Sequence, residues 1–258
     1  RLALELAELG EAMFRQRVRR EQPSLTEDEI DATVDGWRHA DLERSTATPS
    51  AARFLASATV NSLEAALRRI ASDLDARGRR WALVGGLAVS ARAEPRTTRD
   101  VDVVVDVRDD PDAESLVLDL QATGFRVLAA VEQENVHRLA TARLTAPGGT
   151  ARGVVVDLLF ASSGIEPEVA RDAESIEVLP GLRIPVARLG HLMALKLLAR
   201  DDRRRPQDLD DLRALLREST PDDLAQTREA LLAIEARGYH RERRLTESLE
   251  AFLREETS

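Results

Sequence analysis

Two aspartates stand two positions apart in the segment Asp100 to Val107, which reads DVDVVVDV. Val101, Val103, Val105 and Val107 alternate with Asp100, Asp102, Val104 and Asp106, the period of a strand, so both leading carboxylates project from one face. Two anions that close raise each other's pKa unless a cation lies between them. Paired hard oxygens suit Mg²⁺, or Mn²⁺ in its place, with phosphate oxygens and water completing the shell. An edge strand with one packed valine face and one wet face produces the same pattern, and a lone D-x-D does not separate the two. Asp157 adds a second signal. It lies in GVVVDLLF (Gly153 to Phe160), a run without alternation that argues for a strand covered on both faces. A carboxylate there needs a metal, a proton or a partner such as a nearby arginine. Converging with Asp100 and Asp102, it would complete a two-metal site.

The strand-like WALV before Gly85-Gly86 and the helical pattern after it form a second candidate. Paired glycines let the backbone approach a polyphosphate closely and aim the first amides of the following helix at that anion. Neither G-x-x-x-x-G-K-[ST] nor G-x-G-x-x-G occurs, so P-loop and dinucleotide-binding readings fail. Of the 37 basic residues, 36 are arginine and one, Lys196, is lysine. A compact ammonium on a flexible stem reaches a phosphate as a point charge, which a planar guanidinium does differently. A lysine snorkelling from an apolar helix is the plainer explanation of Lys196. Asp208 and Asp211 follow Pro206 at a helix start, where acids also simply offset the helix dipole. Arg203 to Arg205 form a basic turn, either solvated or able to meet an acceptor. The four histidines (His39, His137, His191 and His240) show no metal-ligand spacing, cysteine is absent, and no serine sits in G-x-S-x-G. Thiol chemistry and Cys-ligated zinc are thereby excluded, and hydrolase triads have no support.

These groups need a scaffold, and the periodicities supply one. Leu2, Leu6, Leu9 and Met13 predict a helix, and Thr26 with Glu29 makes a capping box before the stripe Ile30, Val34, Trp37. Glu43 to Ser50 is small, polar and Pro-containing, the best linker in the chain. Leu63, Leu67, Ile70 and Leu74 share a helix face that Gly78 ends. Strands are predicted at 81–84, 100–107, 125–130, 136–145, 153–160, 176–179 and 182–186, with helices at 87–93 and 111–122 between them. Pro147-Gly148-Gly149 joins two of the strands. Helices at 189–200, 207–217, 222–236 and 240–255 follow. The layout is α+β, divided into a helical segment 1–42, a linker 43–55, an α/β core 56–187 and a helical region 188–258.

Composition sets outer bounds. With 43% hydrophobic residues but 3% aromatics, Leu, Val and Ala must fill one sizeable core. A net charge of −9 argues against a surface that grips nucleic acid all over, though not against a local basic groove. No apolar run approaches the roughly 20 residues a membrane helix needs, and Glu5, Glu8 and Glu11 break any signal-peptide pattern. A cytoplasmic protein is expected.

VGGLAVSARAEPRTTRDVDVVVDV resembles the opening of nucleotidyltransferases of the DNA polymerase beta superfamily, most closely the AbiEii-like toxins. IPVARLGHLMALKLLARDDRRRPQDLDDLRALL resembles that group's second signature, a lysine within a helix, a basic turn, then acids opening the next helix. The likeness runs from about Leu74 to Leu216, and the sole lysine falls on the signature lysine. It implies a polymerase-beta-like core with a mixed sheet, and transfer of NMP from an NTP to an acceptor hydroxyl. In such toxins the acceptor is typically RNA, with tRNA ends leading; relatives that modify proteins or small molecules, or a degenerate binding module, are the alternatives. The resemblance implies that Asp100, Asp102 and Asp157 hold the metal, that Gly85 and Gly86 cradle the triphosphate, and that Lys196 contacts it. Asp208 or Asp211 matches the acid after that lysine, and Arg96 and Arg99 would reach phosphate or acceptor. This chain departs from many relatives at Leu87, where they carry a Ser or Thr hydroxyl. The stretch LAELGEAMFRQRVRREQPSLTEDEIDATVDGWR resembles small helical antitoxin-like partners of such transferases, here an intramolecular segment; an ordinary helical extension packing on the core is the alternative.

Overall fold

The computed structural model describes residues 14–42, 53–96, 98–133, 136–147, 153–201 and 207–257. Among the described residues, 14–21 are helical (α1), followed by α2 (Glu27–Leu42). The long α3 (Arg53–Ala76) leads into β1 (Trp81–Val84), α4 (Gly85–Arg92) and β2 (Asp100–Val105). Next come α5 (Asp110–Ala122), β3 (Arg126–Gln133), β4 (Arg138–Thr145), β5 (Val155–Leu159) and the short α6 (Glu166–Arg171). After β6 (Glu174–Leu179) and β7 (Leu182–Val186) come α7 (Leu189–Ala199), α8 (Gln207–Glu218), α9 (Pro221–Ala236) and α10 (Leu245–Thr257).

The seven strands form one mixed sheet in the order β3-β4-β5-β2-β1-β7-β6. β2 runs parallel to β5 and antiparallel to β1, while β1 runs parallel to β7. The class is α+β with a mixed sheet, as expected from the sequence. β1 is buried at all four positions, which is why WALV reads as an unbroken apolar run. β3 is the exposed edge strand, with Leu128 and Val131 each 54% exposed. The main core runs from Leu63 on α3 through the sheet to Phe252 on α10, built chiefly of Leu, Val and Ala. Among the described residues, no helix is long and apolar enough to cross a membrane.

Local chemistry sets the helix starts. The Thr26 amide donates to Glu29 Oε2 at 2.8 Å, while the Glu29 amide donates back to Thr26 Oγ1. Thr220 and Asp223 repeat this reciprocal cap at α9. Three details differ from expectation. α10 starts at Leu245 rather than His240, because Arg241 and Glu242 have positive φ (52° and 58°), which a right-handed helix cannot accommodate. α4 takes in both glycines as its first two residues. α6 was not expected; Glu166 organises its start, its Oε1 accepting from the amides of Ser162 and Ser163. The helix expected at Leu2 to Met13, the linker Glu43 to Ser50, Arg203 to Arg205, Gly148 with Gly149, and the Trp37 side chain lie outside the described residues.

The N-terminal helices form a small cluster of their own, Val18, Ile30 and Val34 with Phe14 and Leu25. A buried arginine joins this cluster to the rest. Arg17 Nη1 donates to the Ala93 carbonyl at the end of α4, Nη2 meets Glu218 at 2.5 Å at the end of α8, and Nε meets Glu21 at 2.8 Å. Arg20 adds a bond to the Ala91 carbonyl at 3.3 Å. Replacing Arg17 with Met keeps most of the stem and removes every one of its donors. Urea unfolding of Arg17→Met should show a loss of about 2 kcal/mol, the scale of charged hydrogen bonds broken at a buried group. Amide exchange over residues 14–36 should quicken with it; unchanged stability and exchange would show that Arg17 does not fasten the segment.

Candidate active site

The hydrogen-bond ladder places the acids. On β2, Asp100 and Asp102 share a face, and Asp102 stands directly opposite Asp157 on the parallel neighbour β5. Asp157 therefore projects to the same side, and the three carboxylates occupy one patch. The ladder continues outward. Arg143 on β4 stands opposite Asp157 and grips it with two bonds, Nε to Oδ1 at 2.8 Å and Nη2 to Oδ2 at 2.6 Å. Both expectations for Asp157, convergence with the D-x-D pair and pairing to an arginine, are present together.

On the other side of β2, Val84 stands opposite Asp102, so the Gly85 turn abuts the carboxylate. Gly85 has φ +62°, and a Cβ there would collide with the Asp102 side chain, so both conformation and space demand glycine. A Cβ on Gly86 would meet the Arg96 guanidinium at 2.5 Å and Thr98 Cβ at 2.9 Å. The glycine pair thus lets the chain's own Asp102 and Arg96 lie against the start of α4. Ser90 Oγ donates to the Gly86 carbonyl at 3.1 Å and accepts from the Arg96 amide at 3.2 Å, tying the loop back to α4. Leu87 is buried and packed into the core. Arg99 is exposed.

Lys196 comes from α7 and is 7% exposed. Its Nζ lies 3.0 Å from Asp208 Oδ1 and 2.6 Å from Asp211 Oδ2, both on α8 and both buried. Arg96 Nε lies 3.0 Å from the other Asp211 oxygen. Asp208 and Asp211 therefore face Lys196 together, three residues apart on one helix side. The ammonium is anchored inside the protein rather than snorkelling to water.

Burial first, then the charges of Asp157 and Asp100, push the Asp102 carboxyl up to about 6, against the pull of Lys196 and Arg96. Asp100 is also raised, by burial and by Asp157, with Arg143 and Arg99 opposing. The Arg143 guanidinium is held firmly charged by its bond to Asp157, helped by the charges of Asp157, Asp100 and Asp102. Five carboxylates (Asp100, Asp102, Asp157, Asp208, Asp211) thus face three cations (Arg143, Lys196, Arg96), with Arg99 out on the surface. The donors fit Mg²⁺ or Mn²⁺ in kind and in register. They are not gathered into a cage: among the described residues no three His, Asp or Glu side chains stand ready to hold a metal. Both oxygens of Asp157 are engaged by Arg143 instead.

Arg143 is the site residue that sequence reasoning missed. It is one arginine among 36, and its register opposite Asp157 depends on a nine-residue connection, 146–154, that no turn rule fixes.

The raised pKa of Asp102 makes stability depend on pH in a definite direction. Its folded value, about 6, exceeds the ordinary 3.8, so the contribution to folding is present in full below 3.8 and is lost as pH rises through 6. At pH 8 in chelator, Asp102→Asn should be more stable than wild type by about 3 kcal/mol, with the difference vanishing near pH 4. Thermal unfolding of both proteins across that range measures it. A difference that does not change with pH would contradict the electrostatic origin.

Residues 61–258 match the model of the nucleotidyl transferase AbiEii toxin family of type IV toxin–antitoxin systems. Residues 1–54 match the Rv0078B-related antitoxin family. No curated protein matches the chain. Among solved structures, an antigenic nucleotidyltransferase-like protein from Paracoccidioides brasiliensis is 21% identical, with a TM-score of 0.46 over 75% of this chain and 93% of its own. The antibiotic-resistance factor ANT(2'')-Ia is 14% identical, with a TM-score of 0.47 over 67% of this chain and 91% of its own. Likenesses at that level carry no argument about function. The family match does, because it takes in more than half the chain: the protein belongs to the AbiEii nucleotidyltransferase toxins and carries an antitoxin-related segment at its N-terminus.

Proposed function

We propose that this nucleotidyltransferase toxin moves NMP from an NTP to a hydroxyl of RNA, a tRNA end by preference, with Mg²⁺ or Mn²⁺ as cofactor. The observation that carries the reading is the register of Asp102 opposite Asp157, with Asp100 on the same face and Gly85 pressed against Asp102. Asp100 and Asp102 would hold the cation, and Asp157 would complete the set. Bound there, a divalent ion supplies Lewis-acid polarisation of the α-phosphate and lowers the pKa of the acceptor hydroxyl. The amides opening α4 at Gly85 and Gly86 face an anion favourably, and Arg96 lies directly over Gly86. Lys196 donates to Asp208 Oδ1 at 3.0 Å and is ion-paired with Asp211, which would hold its ammonium where it can meet a phosphate oxygen. Asp208 and Asp211 keep Lys196 and Arg96 in place and touch no substrate themselves. The acceptor hydroxyl gives up its proton to water as its oxygen attacks the α-phosphorus, the α–β anhydride bond breaks, and pyrophosphate leaves. Exposed Arg99 and the basic run Arg203 to Arg205 are the acceptor contacts this reading assigns.

In the same reading the chain divides at 1–42, 43–55, 56–187 and 188–258, works in the cytoplasm, and is restrained in cis by its antitoxin-related segment. Incubation with each α-labelled NTP, Mg²⁺ and total RNA should put label into tRNA-sized RNA. Asp100→Ala should reduce incorporation by about a thousandfold, the scale for losing a group that stabilises transition-state charge. Label entering protein instead would replace the RNA acceptor, and equal labelling by wild type and Asp100→Ala would end the enzymatic assignment to these acids.

A further inference from the structure

Asp157 and Arg143 are unequal partners. The carboxylate side chain is 10% exposed and fixed in the sheet, whereas the arginine side chain is 50% exposed on β4, next to the edge strand. Arg143 engages both Asp157 oxygens, and its charge is felt also by Asp100 and Asp102. It therefore occupies, electrostatically, the place a cation bound by the three acids would take. A guanidinium and a divalent cation on one carboxylate repel each other, and only the guanidinium can leave toward solvent on a flexible stem.

We propose that Arg143 is a resident counter-cation of the acid cluster: a divalent ion displaces it from Asp157, and the freed guanidinium then pairs with the triphosphate of the incoming nucleotide. This rests on the metal-binding role proposed for Asp100, Asp102 and Asp157. The exchange is one of ionic partners, with no covalent bond made or broken. Before loading, Arg143 offsets the repulsion among the acids. After loading, the cation does so, and the bidentate fork is free for phosphate oxygens, whose geometry it matches as well as a carboxylate's. Arg143 thus links nucleotide affinity to cation occupancy.

The test is Mn²⁺ titration by calorimetry of the full chain without nucleotide, using wild type, Arg143→Met, Arg143→Lys and Asp100→Ala. Arg143→Met should bind Mn²⁺ about tenfold more tightly than wild type, because a bidentate ion pair no longer has to be broken. Arg143→Lys, which keeps charge but not the fork, should fall between them and serves if the Met variant does not fold. With Mn²⁺ saturating, a non-hydrolysable NTP analogue should bind Arg143→Met about tenfold more weakly than wild type. Unchanged or weaker Mn²⁺ affinity in both Arg143 variants, or undiminished analogue affinity, overturns the proposal. If that happens while Asp100→Ala still abolishes Mn²⁺ binding, the metal reading stands without it. If wild type shows no Mn²⁺ binding that Asp100→Ala removes, the metal reading falls as well.

Discussion

Three carboxylates are fixed on one face of two adjacent parallel strands, and they cannot move apart. Val101 and Val103 on β2 and Val156 and Leu158 on β5 are fully buried on the opposite face. Slipping either strand by one residue would turn these apolar side chains outward and drive the acids into the core. The hydrophobic pattern that pins the register therefore also holds the mutual repulsion in place. What surrounds the acids follows from that constraint: Arg143 on one side, Lys196 and Arg96 on the other, and a glycine where Asp102 leaves no room for a side chain.

Much of this could be read from the chain, for reasons that differ by residue. Asp100 and Asp102 announce themselves through alternation, which fixes their shared face without any tertiary knowledge. Asp157 stands out as a charge inside an apolar run. Its alignment with Asp102 was not readable, because β5 reaches β2 only after the excursion through α5, β3 and β4, and local pattern says nothing about such long-range register. Lys196 was conspicuous by its rarity, while its double anchoring by Asp208 and Asp211 needed the packing of α7 on α8. Arg143 and Arg17 were hidden by the opposite circumstance. In a chain with 36 arginines, residue type alone does not mark the one that reaches a buried acid or a helix end. The α+β order was legible because strand and helix periods separate cleanly; the five residues before α10 were not, since their positive-φ turn lacks the glycine that usually signals one.

Two helices connect the acid patch to the antitoxin-related segment. α4 begins at Gly85 beside Asp102 and ends at the carbonyls that Arg17 and Arg20 bind; α8 begins near Asp208 and Asp211 and ends at Glu218, the other partner of Arg17. Arg217 to Glu94, at 2.6 Å, joins the same two helix ends. The segment thus grips the far ends of the helices whose near ends shape the site. The distance spanned is about 12 Å along α4 and about 18 Å along α8.

The two sides of the acid patch are built with different permanence. Lys196 cannot leave, because its departure would strand two buried carboxylates, an arrangement costing several kcal/mol. Arg96 is held to the same pair through Asp211 and lies against Gly86. On this side the charge balance is closed. On the other side Arg143 is half exposed, and what it leaves behind is one carboxylate that a cation can take over at once. A site that must admit a charged substrate needs one wall that stays and one that yields. Burial decides which is which: the cation enclosed by protein sets the geometry, and the cation facing water can be exchanged.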